Sequence, residues 1–276
     1  MKSSTLSTIL VGLLMLLAAF SPTLALASPL MAPKICVGGV SGSNWYSTNW
    51  SGYVVNGSSG SVTSVEASWK VPTVTGSRFT TAYSSFWVGI DGFIGSNTVE
   101  QIGTDSDIQR GVPAYYAWYE FYPAEAMQTI SGLTIKPGNV INASVTYSSG
   151  VFTLLIIDTS TGAYYSTTGT VSGASETSAE WIAEAPSSNF GVLPLANFGK
   201  VNFGSDTTGV TATCYATVNG DTGSIASFGT AVQSITMATE TYNFRTHGYT
   251  VVPKATPSGV SSDGTSFSVT WNSAGQ

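Results

Sequence analysis

The sequence predicts an all-β protein, built as a sandwich or a barrel. Apolar and polar residues alternate along several short segments, and clusters of Gly, Ser, Asn and Asp separate those segments. Alternation of this kind is typical of half-buried strands, and the clusters are typical of the turns between them. The chain has 276 residues, and all-β sandwiches can run to about 200–250 residues as one domain. We therefore expect a single large β domain.

Three segments show the alternation most clearly, at 64–71, 141–147 and 267–271. In the first segment Val65, Ala67, Trp69 and Val71 fall on one face of a strand, opposite Ser64, Glu66, Ser68 and Lys70. Turn residues fill 56–60 and 136–139. The one helix-like fragment spans 123–128, which corresponds to about one or two helical turns.

The N-terminus has the pattern of a secretory signal peptide. A single lysine precedes an apolar run at 9–20, and Ala25-Leu26-Ala27 supplies the small-x-small pattern of a cleavage site. The run is too short to cross about 30 Å of hydrocarbon comfortably. The pattern predicts a signal peptide at 1–27, a short leader or pro-segment at 28–44 and a folded domain at 45–276. We expect the mature protein to be secreted, extracellular and free of the membrane.

Charged side chains are scarce, at 9% of the chain, while 42% of the residues are hydrophobic. The hydrophobic fraction supplies a core and excludes disorder. With every carboxyl group protonated, the 9 Lys and Arg residues and the single His leave about 10 positive side-chain charges, so the chain repels itself little in acid. The net charge of −6 argues against a nucleic-acid partner, which requires a basic face.

Several catalytic chemistries lack their residues in this sequence. Serine and cysteine hydrolases need a histidine base, and the only histidine is His247, for which a structural role is the more common interpretation. No H-E-x-x-H motif, histidine cluster, P-loop or dinucleotide fingerprint is present, so no metal or cofactor is predicted. Asp105 and Asp107 lack the surroundings of an EF-hand loop. An exported chain permits a disulfide, and the sequence does not decide whether Cys36 and Cys214 form one.

Carboxyl and amide side chains remain as candidates. In an extended strand Gln101 shares a face with Gly103 and Asp105, and Glu180 shares a face with Glu184. Polar side chains on the same face as glycine or apolar groups indicate a groove. Spacing alone does not separate Glu180 from Glu184. Core packing and groove lining are equally good interpretations of the three tryptophans near these residues, Trp87, Trp118 and Trp181.

Taken together, these segments resemble the glutamic peptidases, also called eqolisins, in a member of bacterial or archaeal type. The segments that carry the resemblance are NWSGY at 49–53, FWVGIDG at 86–92, TVEQIGTD at 98–105, AWYEFYP at 117–123, SAEWIAE at 178–184 and GTSFSVTW at 264–271. They occur in the family's order and cover essentially the whole mature chain. The resemblance implies a lectin-like sandwich of two large antiparallel sheets, with a substrate groove on its concave face.

The resemblance also implies an endopeptidase that works in acid without metal or cofactor. The family's catalytic glutamine falls on Gln101 and its catalytic glutamate on Glu180. Its supporting residues fall on Trp87, Asp91, Asp105 and Tyr119. Such a protein takes protein or peptide substrates, and we expect it to be a monomer.

Two other functions stay open from the residues. Aromatic-rich concave faces bind sugars, and two carboxylates such as Glu120 and Glu180 hydrolyse a glycoside if they are suitably separated. In that case Gln101 is only a hydrogen-bonding residue. The abundance of Ser, Thr and Gly is also typical of a non-catalytic adhesion or surface-layer domain.

Overall fold

The structure is a computed structural model that describes residues 44–245 and 247–275. The predicted signal peptide, all but the last residue of the predicted leader, and Cys36 lie outside the described residues. Asn44, the last residue of that predicted leader, begins the first strand. No helix in the described part of the chain is long and apolar enough to span a membrane.

The described residues form nineteen strands and two short helical segments. The strands are β1 (Asn44–Ser47), β2 (Trp50–Asn56), β3 (Val62–Lys70), β4 (Ser85–Ile90), β5 (Val99–Gln109), β6 (Val112–Tyr122), β7 (Glu125–Thr129), β8 (Val140–Ser148), β9 (Val151–Asp158), β10 (Ala163–Gly169), β11 (Ser178–Glu184), β12 (Ser187–Ser188), β13 (Gly191–Val192), β14 (Lys200–Gly204), β15 (Tyr215–Val218), β16 (Asp221–Ser224), β17 (Val232–Asn243), β18 (Gly248–Pro257) and β19 (Ser266–Trp271). The helical segments are α1 (Ser205–Thr208) and a 3-10 helix at Ile225–Ala231.

The strands build two antiparallel layers, which confirms the predicted sandwich. One layer has the order β7-β6-β5-β4-β11-β2-β17, and we call it the site sheet. The other layer runs β10-β9-β8-β3, and β3 then pairs with both β14 and β15. The strand β18 pairs with β17 and with β19, and β19 pairs with β14, so one hydrogen-bonded ladder joins the two layers. Among the pairings of named strands only β1 with β17 is parallel.

The main core lies between the two layers, and the alternation seen in the sequence builds it. In β3 the side chains of Val65, Ala67 and Trp69 are fully buried in this core, as the pattern at 64–71 predicts. The segments at 141–147 and 267–271 form β8 and β19, so these two strand predictions are also confirmed. Burial of apolar side chains on one face of each strand is the main stabilising contribution to such a layer.

The predicted helix-like fragment at 123–128 is wrong. The chain turns after a cis peptide bond between Tyr122 and Pro123, and residues 125–129 return along β6 as β7. Phe121 lies opposite Glu125, and Tyr119 lies opposite Gln128. The local helix preference of Ala, Glu, Met and Gln is weak, and pairing with a neighbouring strand overrides it.

Candidate active site

The predicted catalytic pair lies on one line that crosses the middle of the site sheet. Glu120 of β6 pairs with Gln101 of β5, and Gln101 pairs with Gly89 of β4. Gly89 in turn pairs with Glu180 of β11. Since directly paired residues point to the same side of a sheet, these side chains emerge on one face, away from the main core. We call this face the site face.

Gly89 allows close packing between the two candidate residues. Gln101 and Glu180 are two strands apart, so about 10 Å separates their Cα atoms. A Cβ atom at position 89 would lie 2.9 Å from the Trp87 ring and 3.1 Å from the Cβ of Gln101. Trp87 and Gln101 therefore pack against a strand surface that only glycine offers without displacing them.

The two candidate side chains are fully buried, yet three of their polar atoms are unpartnered. Neither carboxyl oxygen of Glu180 has a hydrogen-bond partner among the described residues, and the same holds for Oε1 of Gln101. The Gln101 Nε2 donates to Oε2 of Glu120 at 2.7 Å. Buried polar atoms are nearly always hydrogen-bonded, and an unpaired one costs about 1–3 kcal/mol. Such atoms are typical of a site that a ligand completes.

Burial also alters the acidity of this line of residues. It raises the pKa of Glu180 well above its ordinary value. The nearby Ser178 hydroxyl opposes this increase, and the acidic groups of Asp91 and Glu100 add to it. Burial raises the pKa of Glu120 to about 7, although hydrogen bonds from Gln101 and from the Met127 backbone oppose the change. Buried carboxyl groups with raised pKa values are candidates for acid–base chemistry.

Asp91 follows β4 and fixes the start of β11. Its two carboxylate oxygens accept hydrogen bonds from the backbone N–H groups of residues 175–177 and from the hydroxyl groups of Thr98 and Thr177. Its own N–H donates to the carbonyl oxygen of Ser178, at 3.0 Å. These bonds hold Asp91 at a φ of 70°, a backbone conformation that non-glycine residues seldom adopt. They set the position of the strand that carries Glu180.

Glu184 lies on the same face as Glu180, but donors occupy both of its oxygens. The Trp87 Nε1 donates to Oε2 at 2.8 Å, and the Asn49 Nδ2 donates to Oε1 at 3.1 Å. Asp105 is held in the same way, because the Tyr116 hydroxyl donates to it at 2.7 Å and the Trp118 Nε1 donates to its other oxygen. Trp87 and Asp105 therefore belong to a hydrogen-bonded frame beside the line from Glu120 to Glu180.

The structure does not bring Tyr119 to the site. The position of Tyr119 therefore does not match the supporting role expected for it. Tyr119 pairs with Ile102, whose side chain belongs to the main core, so Tyr119 points to the opposite face from Gln101. Its ring stacks on Tyr165 with centroids 5.7 Å apart and contacts Phe121 edge-on. The reason is the two-residue period of a strand, which puts Trp118 and Glu120 on the site face and Tyr119 between them on the other.

Sequence reasoning missed Glu120 as a partner of Gln101 and missed Tyr116 as a partner of Asp105. The alternation through Trp118 was the available signal for both. The Tyr116 hydroxyl also lies 3.0 Å from Asp107, so this aspartate pair converges on a phenol. Within the described ranges no three His, Cys, Asp or Glu side chains are grouped so that they could hold a metal ion.

Apolar side chains surround the polar line on the site face. The cluster consists of Trp50, Val54, Trp87, Phe93, Val99, Trp118, Ile182 and Ile235, with Trp45, Tyr116, Tyr122 and Met127 packed against it. Trp45 of β1 and Phe93 of the β4–β5 loop meet edge-on, with ring centroids 5.6 Å apart. A low-polarity environment of this kind strengthens every electrostatic interaction within it.

Comparison with known proteins gives a consistent result. A model of the Peptidase A4 family matches residues 48–246. Aspergillopepsin-2 from Aspergillus niger is 34% identical over 180 residues, which is 57% of this chain, and the match spans 63% of that protein. Scytalido-glutamic peptidase, solved with a transition state analog inhibitor, has a TM-score of 0.62 and 27% identity over 82% of this chain and 98% of its own. Aspergilloglutamic peptidase from Aspergillus niger has a TM-score of 0.53 and 28% identity over 69% of this chain and 99% of its own.

Proposed function

Because the chain belongs to the Peptidase A4 family, which confirms its resemblance to the glutamic peptidases, we propose that it is a secreted endopeptidase in which Gln101 and Glu180 activate a water molecule. The single observation that supports this assignment most strongly is the set of unpartnered atoms on the site face. The oxygens of Glu180 and the Oε1 of Gln101 are buried on either side of Gly89 without hydrogen bonds in the described structure. A water molecule and a peptide carbonyl together supply the partners that these atoms lack.

Glu180 is the general base and later the general acid in this proposal. Its ionised carboxylate takes a proton from the water as the water oxygen attacks the peptide carbonyl carbon. The same carboxyl group then delivers the proton to the nitrogen of the leaving amine, so the carboxylate is regenerated. Proton transfer by a positioned side chain contributes about 10²–10⁴-fold to a rate.

Gln101 supplies polarity without a charge. Its Oε1 accepts a hydrogen bond from the water and orients it, and its Nε2 carries a second N–H that donates to the oxyanion as the carbonyl oxygen becomes negative. A donor of this kind is worth about 3–4 kcal/mol in the transition state. The amide cannot ionise, so this contribution does not depend on pH.

The raised pKa of Glu180 has a consequence for the pH dependence. A base must be ionised to work, so activity falls as the pH drops below the pKa of Glu180. Since burial moves that pKa upward, we expect the acid limb of kcat/KM to lie above the ordinary glutamic acid value of about 4.3. Binding of substrate in the groove, with its own polar groups, opposes this upward shift.

Secretion, peptide substrates and a monomeric state complete the proposal. The predicted signal peptide supports export. A monomer is the simplest state for an enzyme that must accept a polymeric substrate. Peptide backbones carry both donors and acceptors, which suits a groove that combines carboxyl, amide and indole groups.

Incubation of the purified protein with unfolded casein tests the proposal, with and without pepstatin, across about pH 2 to 7, a range that brackets the pKa of glutamic acid. Pepstatin-resistant cleavage inside the casein chain is the expected result. Absence of cleavage at every pH contradicts the proposal. Release or binding of sugars in a parallel incubation with oligosaccharides would then favour the carbohydrate-active alternative, and neither activity would favour an adhesion domain.

A further inference from the structure

We propose that Glu120 is a positioning residue that fixes the orientation of the Gln101 side-chain amide through the hydrogen bond from Nε2. This inference rests on the proposed function, because it gives a role in peptide hydrolysis to a residue that touches neither water nor substrate. Glu120 lies directly across from Gln101 in the β5–β6 ladder, and the Nε2–Oε2 distance is 2.7 Å.

The two ends of an amide are chemically different, and the mechanism needs them in fixed places. One end accepts hydrogen bonds and the other donates them. Rotation by 180° about the last side-chain bond exchanges the oxygen and the nitrogen. Gln101 therefore serves as water acceptor and oxyanion donor only when its oxygen and nitrogen point in the correct directions.

Glu120 selects one of the two orientations. Two N–H groups, from Gln101 and from the backbone of Met127, donate to its carboxyl group, which therefore presents acceptor oxygens to Gln101. The amide nitrogen faces Glu120 because Oε2 of Glu120 is an acceptor, which holds for the ionised group and, below its pKa of about 7, for the protonated group with its proton on Oε1. The Gln101 Oε1 then points away from Glu120, and it has no hydrogen-bond partner in the structure described.

The position of Glu120 is itself rigid. Only 2% of its surface is exposed, and it sits where the pairing of β6 with β7 is irregular, between Tyr119 and Phe121. The irregularity leaves Glu120 out of the regular pairing with β7. A buried hydrogen bond between two side chains on neighbouring strands holds the Gln101 amide more firmly than an exposed one.

Four variants separate positioning from charge and from structure. In Glu120→Gln the side chain keeps its reach and an acceptor oxygen but loses the charge, whereas in Glu120→Asp it keeps the charge but is too short to reach Gln101. Glu120→Ala removes both. Glu125→Ala, in the exposed neighbouring strand β7, is the matched control.

The measurement is kcat and KM for a quenched fluorescent peptide that wild type cleaves, with folding checked by thermal unfolding. We expect kcat to fall about 10- to 100-fold in Glu120→Ala and Glu120→Asp with KM within about twofold, because misplacement of a catalytic group by about 1 Å costs up to 10²-fold. Glu120→Gln should recover kcat to within about fivefold of wild type, and Glu125→Ala should match wild type.

Three results would overturn the inference. They are an unchanged kcat in Glu120→Asp, an equal loss in the Gln and Asp variants, and a rise in KM alone, which would indicate a substrate contact. If Glu120→Ala does not fold, the comparison of the Gln and Asp variants still decides. If wild type cleaves no peptide, the proposed function fails before the role of Glu120 is reached.

Discussion

Buried carboxyl groups at the two ends of the site face differ in their hydrogen bonding. At one end Glu184 and Asp105 are saturated by indole, amide and phenol donors. At the other end Glu180 is equally buried, and in the described structure neither of its oxygens forms a hydrogen bond of normal geometry, even with the nearby Ser178 hydroxyl. Glu180 and Glu184 belong to the same strand and the same face, four residues apart. Their difference therefore comes from the neighbouring strands and not from their own segment.

Under the proposed function, this contrast separates a structural carboxyl group, Glu184, from a reactive one, Glu180. A carboxyl group with a donor on each oxygen stabilises the fold and has less acceptor capacity left for a substrate. A carboxyl group without hydrogen bonds costs stability. Glu100, on the opposite face of β5, also lacks them, so the position of Glu180 on the same line as Gln101 is what marks it as the candidate. Frame residues such as Trp87 and Asp105 hold the site face in shape, and the proposed chemistry takes place on the line through Gly89.

Exchange of the two glutamates for glutamine tests the contrast most directly. We expect Glu180→Gln to lower kcat/KM for peptide hydrolysis at least about 1,000-fold, because an amide cannot accept the proton of water. Its thermal midpoint should stay near that of wild type, since no hydrogen bond is lost. Glu184→Gln is the matched control and should keep kcat/KM within about tenfold. Comparable losses in both variants would remove the functional distinction between the two ends.

The pH dependence of stability tests the cost of the buried carboxyl groups. Burial raises the pKa of Glu120 to about 7 and that of Asp105 to about 6, and burial with nearby carboxylates raises that of Glu100 to about 9. The folded chain thus binds more protons than the unfolded chain above about pH 4, so the free energy of unfolding falls as the pH rises through these values. The contribution of Glu120 alone to this fall in the free energy of unfolding is about 3 kcal/mol.

Urea unfolding at a series of pH values from about 4 to 8 measures this effect. Glu100→Gln should flatten the decline, because glutamine cannot ionise, whereas the exposed Glu125→Gln should leave it unchanged. Stability that is constant or rises over this range would contradict the assigned direction of the pKa changes.

Removal of the Glu184 side chain probes the saturated end. In Glu184→Ala the Trp87 Nε1 and the Asn49 amide lose their acceptor inside the protein. We expect the free energy of unfolding to fall by about 3 kcal/mol, since each unsatisfied buried donor costs about 1–3 kcal/mol. Denaturant unfolding near pH 4 gives the value, and a loss below about 1 kcal/mol would show that these bonds are not structural.

Tyr119→Phe is the smallest change expected. The hydroxyl lies on the core side of the site sheet, where the ring packs on Tyr165. We expect kcat and KM within about twofold of wild type, because no group on the site face is altered. A tenfold loss of kcat would place Tyr119 in the catalytic machinery despite its orientation.

Much of the fold was predictable from local pattern. The alternation in β3, β8 and β19 determines which side chains are buried, and this holds whichever strands lie beside them. The segment at 123–128 was not predictable in this way, because the local helix preference of its residues disagrees with the strand that they form. Pairing with β6 decided its structure, and that pairing depends on residues outside the segment.

The same distinction between local pattern and pairing between strands applies to the candidate site. The face shared by Gln101 and Asp105, and the face shared by Glu180 and Glu184, follow from the two-residue period within each strand. The hydrogen bond between Gln101 and Glu120 and the place of Gly89 beside Gln101 depend on the register between strands. No single segment encodes that register.

By itself, the sequence determined an all-β chain with few charges, the family resemblance and two candidate glutamates on one strand face. Composition and periodicity carry this information because each is a property of a residue and its near neighbours along the chain. Only the tertiary structure decided that donors surround Glu184 and not Glu180, and that Tyr119 faces the core. The physical reason is that hydrogen bonding and desolvation depend on groups from Asn49, Trp87 and Asp91, which are distant in the chain and adjacent in space.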